Sequence, residues 1–123
     1  MPQSASRAAI LVVEDDRVFG ETLCRVLGQE GYGVTLATHF RAALDVIEAP
    51  QPVDLMLLDI VMPDGVNGIA LSRMARLRRH DLKVLYLTGY DIPGAEQEAL
   101  GPILRKPIET DALILEVGRV LAS

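Results

Sequence analysis

The sequence predicts an α/β domain built on a five-stranded, parallel, doubly wound sheet flanked by helices, and three observations predict it. Five short apolar runs recur along the 123 residues. Helical periodicities lie between these runs and after the last of them. The first and third runs are continuously apolar, as suits strands covered on both faces, where strict alternation would mark a strand with one face in water. Strands alternating with helices imply βαβ units, right-handed crossovers and helices on both sides of the sheet.

The elements follow in order. Ala9 to Val13 is the first strand. After it, Val18, Phe19, Thr22, Leu23, Val26 and Leu27 share one helical face, with Asp16 as N-cap and Gly31 as the stop. Val34 to Ala37 is the second strand. Phe40, Ala43, Leu44 and Ile47 repeat the helical pattern after Thr38, and Pro50 ends it. Val53 to Leu58 is the third strand, followed by a stripe of Leu71, Met74, Ala75 and Leu77. Val84 to Leu87 is the fourth strand and Pro102 to Leu104 the fifth. Leu113, Val117, Val120 and Leu121 form the last stripe, begun at Glu109 or Thr110. Only 17 residues separate Thr88 from Lys106, Pro93 and Gly94 among them. The fourth helix is therefore expected to be short, two turns around Gln97, with Pro93 and Gly94 disfavouring helix near its start.

Composition bounds the function. The length suits one domain, expected over residues 8–123 behind a disordered leader at residues 1–7. Hydrophobic residues make up 50% of the chain and aromatics 4%, so the core must be aliphatic. Seventeen acidic against twelve basic residues give a net charge of −5, which argues against nucleic acid as the main ligand. No apolar run reaches membrane-spanning length and the N-terminus lacks a signal peptide's apolar segment, so a cytoplasmic domain is expected. Cys24 is the single cysteine, which excludes an intramolecular disulfide and a structural zinc site.

In doubly wound sheets, ligands sit at the carboxyl ends of the strands. There the sequence places Glu14-Asp15-Asp16, Asp59, Thr88 and Lys106. Converging carboxylates repel one another unless a cation compensates them, and an all-oxygen donor set suits a hard cation such as magnesium. Lys106 can pair with a carboxylate and then with a phosphoryl oxygen, and Thr88 can donate to another. The ensemble reads as a phosphoryl-accepting pocket with one aspartate as nucleophile. Singly, each residue has an ordinary explanation as a cap, turn residue or solvated charge. Four such explanations would have to meet on one rim by accident.

These residues sit in segments that resemble the response-regulator receiver domains of two-component signalling. The matching pieces are Ile10-Leu-Val-Val-Glu-Asp-Asp, Leu57-Leu-Asp-Ile-Val-Met-Pro, Leu85-Tyr-Leu-Thr-Gly-Tyr and Leu104-Arg-Lys-Pro-Ile, in order, over about residues 8–122. The resemblance implies a flavodoxin-like receiver fold with Asp59 as phosphoacceptor. It implies Glu14 and Asp15 as the acidic pair holding magnesium, with Asp59 and the carbonyl of Val61 as further ligands. Thr88 would be the switch hydroxyl and Lys106 the phosphate-pairing lysine, with a cis Lys106-Pro107 bond. A histidine kinase or histidine phosphotransfer protein would supply the phosphoryl group, docking near the first helix. The domain would catalyse its own phosphorylation and dephosphorylation without being a turnover enzyme.

Three departures from the family pattern bear on output. Ile103 stands at the aromatic switch position, with Tyr90 as a partial substitute. The stretch from Met62-Pro63 to Gly68 is one residue longer than the common pattern, and the fourth helix is short. With less helix to form the usual dimer face, a monomer that passes its phosphoryl group on or binds a different downstream protein is expected. The chain ends at Ser123 directly after the last helix, as a free-standing regulator or relay or a receiver excised from a hybrid kinase would, and its own Met1 favours the former. The rival reading is a receiver-like interaction module that works without phosphorylation, against which Asp59, Thr88 and Lys106 all stand. A basic cluster of Arg73, Arg76, Arg78, Arg79, His80 and Lys83 reads as a solvated helix end, or else as a surface for an acidic partner. His39 and His80 lack companion metal ligands, and Cys24 reads as packing.

Overall fold

A computed structural model describes residues 7–62 and 67–123. Ten elements alternate along the chain. The strands are β1 (Ala9–Val13), β2 (Gly33–Ala37), β3 (Leu55–Asp59), β4 (Lys83–Thr88) and β5 (Ile103–Arg105). The helices are α1 (Arg17–Gln29), α2 (Phe40–Glu48), α3 (Gly68–Arg78), α4 (Gly94–Leu100) and α5 (Thr110–Ala122). The strands form one parallel sheet in the order β2-β1-β3-β4-β5, the doubly wound class read from the sequence. Among the described residues no helix is long and apolar enough to cross a membrane. Residues 1–6 of the expected leader and residues 63–66 of the lengthened loop lie outside the described residues.

Side chains alternate across the sheet, and both faces are covered, so β3 is buried throughout. On one face, Leu11, Val13, Met56, Leu58, Val84 and Tyr86 pack with Ala43, Leu44 and Ile47 of α2 and Leu71 and Ala75 of α3. On the other, Ile10, Val12, Leu55, Leu57, Leu85 and Leu87 pack with Leu23 and Leu27 of α1 and Leu113, Val117 and Val120 of α5.

Helix ends follow their local chemistry. Asp16 caps α1 by accepting from the Phe19 amide at 3.2 Å. Gly31, at φ 98°, ends that helix. Its amide bonds the Gly28 carbonyl while Tyr32 bonds that of Leu27, the paired closure that a left-handed residue permits. The cap of α2 is His39, whose Nδ1 accepts from the Ala42 amide at 3.2 Å. The helix α4 has two turns, as the short connection requires, and it starts at Gly94 directly after Pro93. Pro93 is the cap residue, its carbonyl accepting from the Gln97 amide at 2.9 Å while its missing N–H interrupts no helical bond, so the pair does not delay the helix as expected.

Three further corrections concern edges and helix phase. The third strand starts at Leu55 rather than Val53, because Asp54 ties to Ala9 on both sides: its amide to the Ala9 carbonyl and its carboxylate to the Ala9 amide. The fifth starts at Ile103, because Pro102 has no N–H and contributes only a carbonyl, bonded by the Tyr86 amide. Val18 and Leu77 are not core residues but are 76% and 75% exposed. Each lies two positions from a buried small residue, Gly20 or Ala75, and two positions turn a helix by roughly 200°.

Candidate functional site

Four strand ends assemble the site. The ladder between β1 and β2 continues one residue past Val13, where the Glu14 amide bonds the Ala37 carbonyl at 3.0 Å. Glu14 is thereby held with its side chain inward, 1% exposed. Its Oε2 accepts from the Asp16 amide at 3.2 Å. Asp15, next in the chain, is exposed. Asp59 ends β3 and is 7% exposed. Its Oδ1 accepts from the Val61 amide at 3.1 Å, and Ile60 continues pairing to the Leu87 carbonyl.

Thr88 ends β4 and positions the lysine, since its carbonyl accepts from the Lys106 amide at 2.7 Å. The Thr88 side-chain oxygen accepts from the Tyr90 amide at 3.1 Å, which leaves the hydroxyl proton for another acceptor. The Lys106-Pro107 bond is cis, as expected. Lys106 Nζ lies 2.6 Å from Asp59 Oδ2 and 3.2 Å from Glu14 Oε1. The structure thus brings Glu14, Asp15, Asp59 and Lys106 together, with Thr88 on the same rim. Val61 lies beside them, its amide on Asp59.

The electrostatics follow from burial and pairing. Burial raises the Glu14 carboxyl above its ordinary value, outweighing the Asp16 amide and the nearby Lys106 charge. Burial also opposes charge on Lys106. The Asp59 hydrogen bond and the charges of Glu14 and Asp59 outweigh it and hold the ammonium above its ordinary value. One carboxylate oxygen from each of Glu14, Asp15 and Asp59 lies within 4.8 Å of the others. Three oxygen donors at that separation, without His or Cys, fit a hard divalent ion such as magnesium.

Two residues that the sequence reading did not assign to the site belong to it. Phe19, read there as core, places its ring centroid 4.9 Å from Lys106 Nζ, so the ammonium sits over an aromatic face. The available signal was an aromatic in the first turn after the acidic run. Gly68, the first residue of α3, has no room for a side chain: a Cβ there would lie 2.1 Å from the Asp59 carbonyl oxygen. Its amide bonds the Ile60 carbonyl at 2.7 Å. Glycine here lets α3 start against the backbone of Asp59. Its only trace in the sequence is a glycine following Asn67, which caps α3 at the Ile69 amide.

The basic cluster resolves differently. Arg79 reaches the carbonyls of Ile47, Ala49 and Gln51 at 2.9, 2.6 and 2.6 Å, closing the C-terminal end of α2. Arg78 pairs with Glu48 at 3.0 Å. These two arginines are structural fixtures rather than simple solvated charges.

The response regulator receiver domain family matches residues 10–117. The chain is 44% identical over 117 residues to response regulator MprA of Mycolicibacterium vanbaalenii, covering 91% of this chain and 49% of that protein. It is 34% identical over 118 residues to response regulator receiver protein CpdR of Brucella abortus, covering 91% of this chain and 95% of that one. It therefore spans about half the length of the MprA relatives and nearly all of CpdR. Among solved structures, a CheY-like receiver domain protein from Methanospirillum hungatei superposes with a TM-score of 0.84 at 28% identity, over 95% of both chains. The non-phosphorylated HemR receiver domain of Leptospira biflexa gives 0.82 at 32%, over 95% of this chain and 96% of that one.

Proposed function

The chain belongs to the response regulator receiver domain family, and on that footing we propose that Asp59 accepts a phosphoryl group from the phosphohistidine of a histidine kinase or histidine phosphotransfer protein. The observation that carries this reading is the buried Asp59 carboxylate, bonded at one oxygen by Lys106 and at the other by the Val61 amide. A carboxylate oxygen of Asp59 attacks phosphorus in line. The bond to the donor's histidine nitrogen breaks, its electron pair stays with that nitrogen, and an acyl phosphate forms. Lys106 needs only to exchange a carboxylate oxygen for a phosphoryl oxygen, since Glu14 and Phe19 already hold it on both sides. The Thr88 hydroxyl donates to a second phosphoryl oxygen. Glu14, Asp15 and Asp59, with the Val61 carbonyl, would hold magnesium, which when bound supplies neutralisation of phosphoryl charge.

Pairing of Lys106 and Thr88 with the new group shifts the domain between two conformations, and a downstream protein reads that shift. The domain catalyses its own phosphoryl transfer and hydrolysis only. Its net charge of −5 supports a protein partner, not nucleic acid, for this domain. Residues 8–123 form the receiver in this reading, with residues 1–7 as a leader, acting in the cytoplasm as a monomer. Incubation of the chain with acetyl phosphate and magnesium is expected to add one phosphoryl group by intact mass, and Asp59→Asn to abolish it. Equal labelling of the Asp59→Asn protein would overturn the assignment.

A further inference from the structure

Charge is distributed unevenly in this chain. Residues 68–83, which are α3 and the turn into β4, carry five Lys or Arg against one Asp, while the rest carries seven against sixteen. Most of those five are occupied: Arg79 by the end of α2, Arg78 by Glu48, and Lys83 by the Ser123 carbonyl. Arg76 uses Nε on the Leu82 carbonyl, which leaves its terminal nitrogens. Arg73 is exposed, with no hydrogen bond or ion pair among the described residues. One turn further along stands Leu77, 75% exposed. Positions four apart are neighbours on a helix, so Arg73 and Leu77 form one small surface, and Arg76 lines one surface hollow with His80 of the turn that follows the helix.

The same helix is fastened to the phosphoacceptor. Its first residue, Gly68, rests on the Asp59 carbonyl. Its Ser72 hydroxyl lies 2.7 Å from the Tyr86 hydroxyl in a buried bond, and Tyr86 precedes Thr88 by two residues on β4. The strands that end in Asp59 and Thr88 are thus both tied to α3. By contrast α4 has two turns, no side-chain cap and no buried residue.

We propose that the outer face of α3, Arg73, Arg76 and Leu77, with His80 in the turn that follows it, is this domain's output surface, and that its occupant is an acidic amphipathic protein segment that places an apolar side chain on Leu77. Charge complementarity selects the segment, since a basic face on an otherwise acidic domain attracts acidic partners and repels the same face of another copy. Leu77 supplies the apolar anchor among the charges. The regulated part of the proposal rests on phosphorylation of Asp59.

The test uses the full chain, isotope-labelled for NMR, titrated with a designed Glu-rich helical peptide bearing leucines along one face. Shifts are expected at Arg73, Leu77 and His80, and Arg73→Glu with Leu77→Ser should weaken binding about tenfold, equivalent to roughly 1.4 kcal/mol. Both positions are exposed, so the variant keeps its fold. Treatment with acetyl phosphate and magnesium is expected to change the peptide's affinity. Shifts confined to α4 or the exposed Leu115 of α5, or tighter binding of RNA or anionic vesicles to α3, would overturn the proposal. An affinity that ignores phosphorylation in a chain whose Asp59 is labelled would remove the coupling and leave the phosphoacceptor reading intact. An unlabelled Asp59 would instead defeat that reading itself.

Discussion

Lys106 and Arg79 each gather several oxygen acceptors, at opposite ends of the sheet, and the two clusters are built for different ends. At the carboxyl rim, Lys106 holds two buried carboxylates, those of Glu14 and Asp59. At the other end, Arg79 holds neutral backbone carbonyls where α2 stops. The carbonyls could turn to water if Arg79 were lost. The carboxylates have no such recourse, because burial denies them solvent and they repel one another. In the proposed reading, a cation whose partners are charged and buried exchanges them for a phosphoryl group, whereas one whose partners are carbonyls is a fixture. Burial and acceptor type, rather than the number of contacts, separate a site from a brace.

The largest effect should come from the backbone beneath the rim. Gly68→Ala is expected to lose about 3 kcal/mol in denaturant unfolding, because the added carbon meets the Asp59 carbonyl rather than a movable side chain. Gly28→Ala, with nothing within 4 Å of the new atom, serves as the control and should be neutral or slightly stabilising.

Lys106→Ala should cost about 2.5 kcal/mol at neutral pH, less than a fully buried pair because the lysine side chain is 29% exposed. Adding Asp59→Asn should recover part of that loss, since one of the stranded charges is then gone. A double-mutant cycle checks this, and strict additivity would contradict it. Arg79→Ala should cost about 2 kcal/mol through the lost charged hydrogen bonds to α2. It should leave the rate of Asp59 labelling unchanged, and a slowed rate would erase the distinction between the two clusters.

Magnesium should stabilise the fold by about 1.4 kcal/mol at ten times its dissociation constant. The sign of its pH dependence follows from Glu14. Because burial raises that carboxyl above its ordinary 4.5, its contribution without metal is fully present below 4.5 and is lost as pH rises through the raised value. Metal binding needs the carboxylate, so it runs the other way. The gain in melting temperature from magnesium should shrink from about pH 7 to about pH 5.

Glu14, Asp15, Asp59, Thr88 and Lys106 were legible in the sequence because each follows an apolar run, and in a parallel sheet all such positions share one end. What was not legible depends on contacts that no local pattern encodes. Arg79 meets residues about thirty positions earlier only because α2 and α3 lie side by side. Gly68 matters through its approach to the Asp59 backbone. Phe19 was legible as apolar but not as a partner of Lys106, 87 positions away in the chain. Val18 and Leu77 lie at the edge of stripes whose buried centres run through Leu23 and Leu27 and through Leu71 and Ala75, so hydrophobicity drew each stripe too wide. Leu77 is informative for that reason, since a leucine that packing does not use remains open to another molecule.

The most direct measurement locates the phosphoryl group. After exposure to acetyl phosphate and magnesium, the acyl phosphate can be reduced with borohydride, which converts the modified aspartate to homoserine, and peptide mass spectrometry then reads the position. The account requires homoserine at residue 59 in the treated chain and none without the phosphodonor. Reduction products at Glu14 or Asp15, or phosphate retained on a histidine instead, would contradict it.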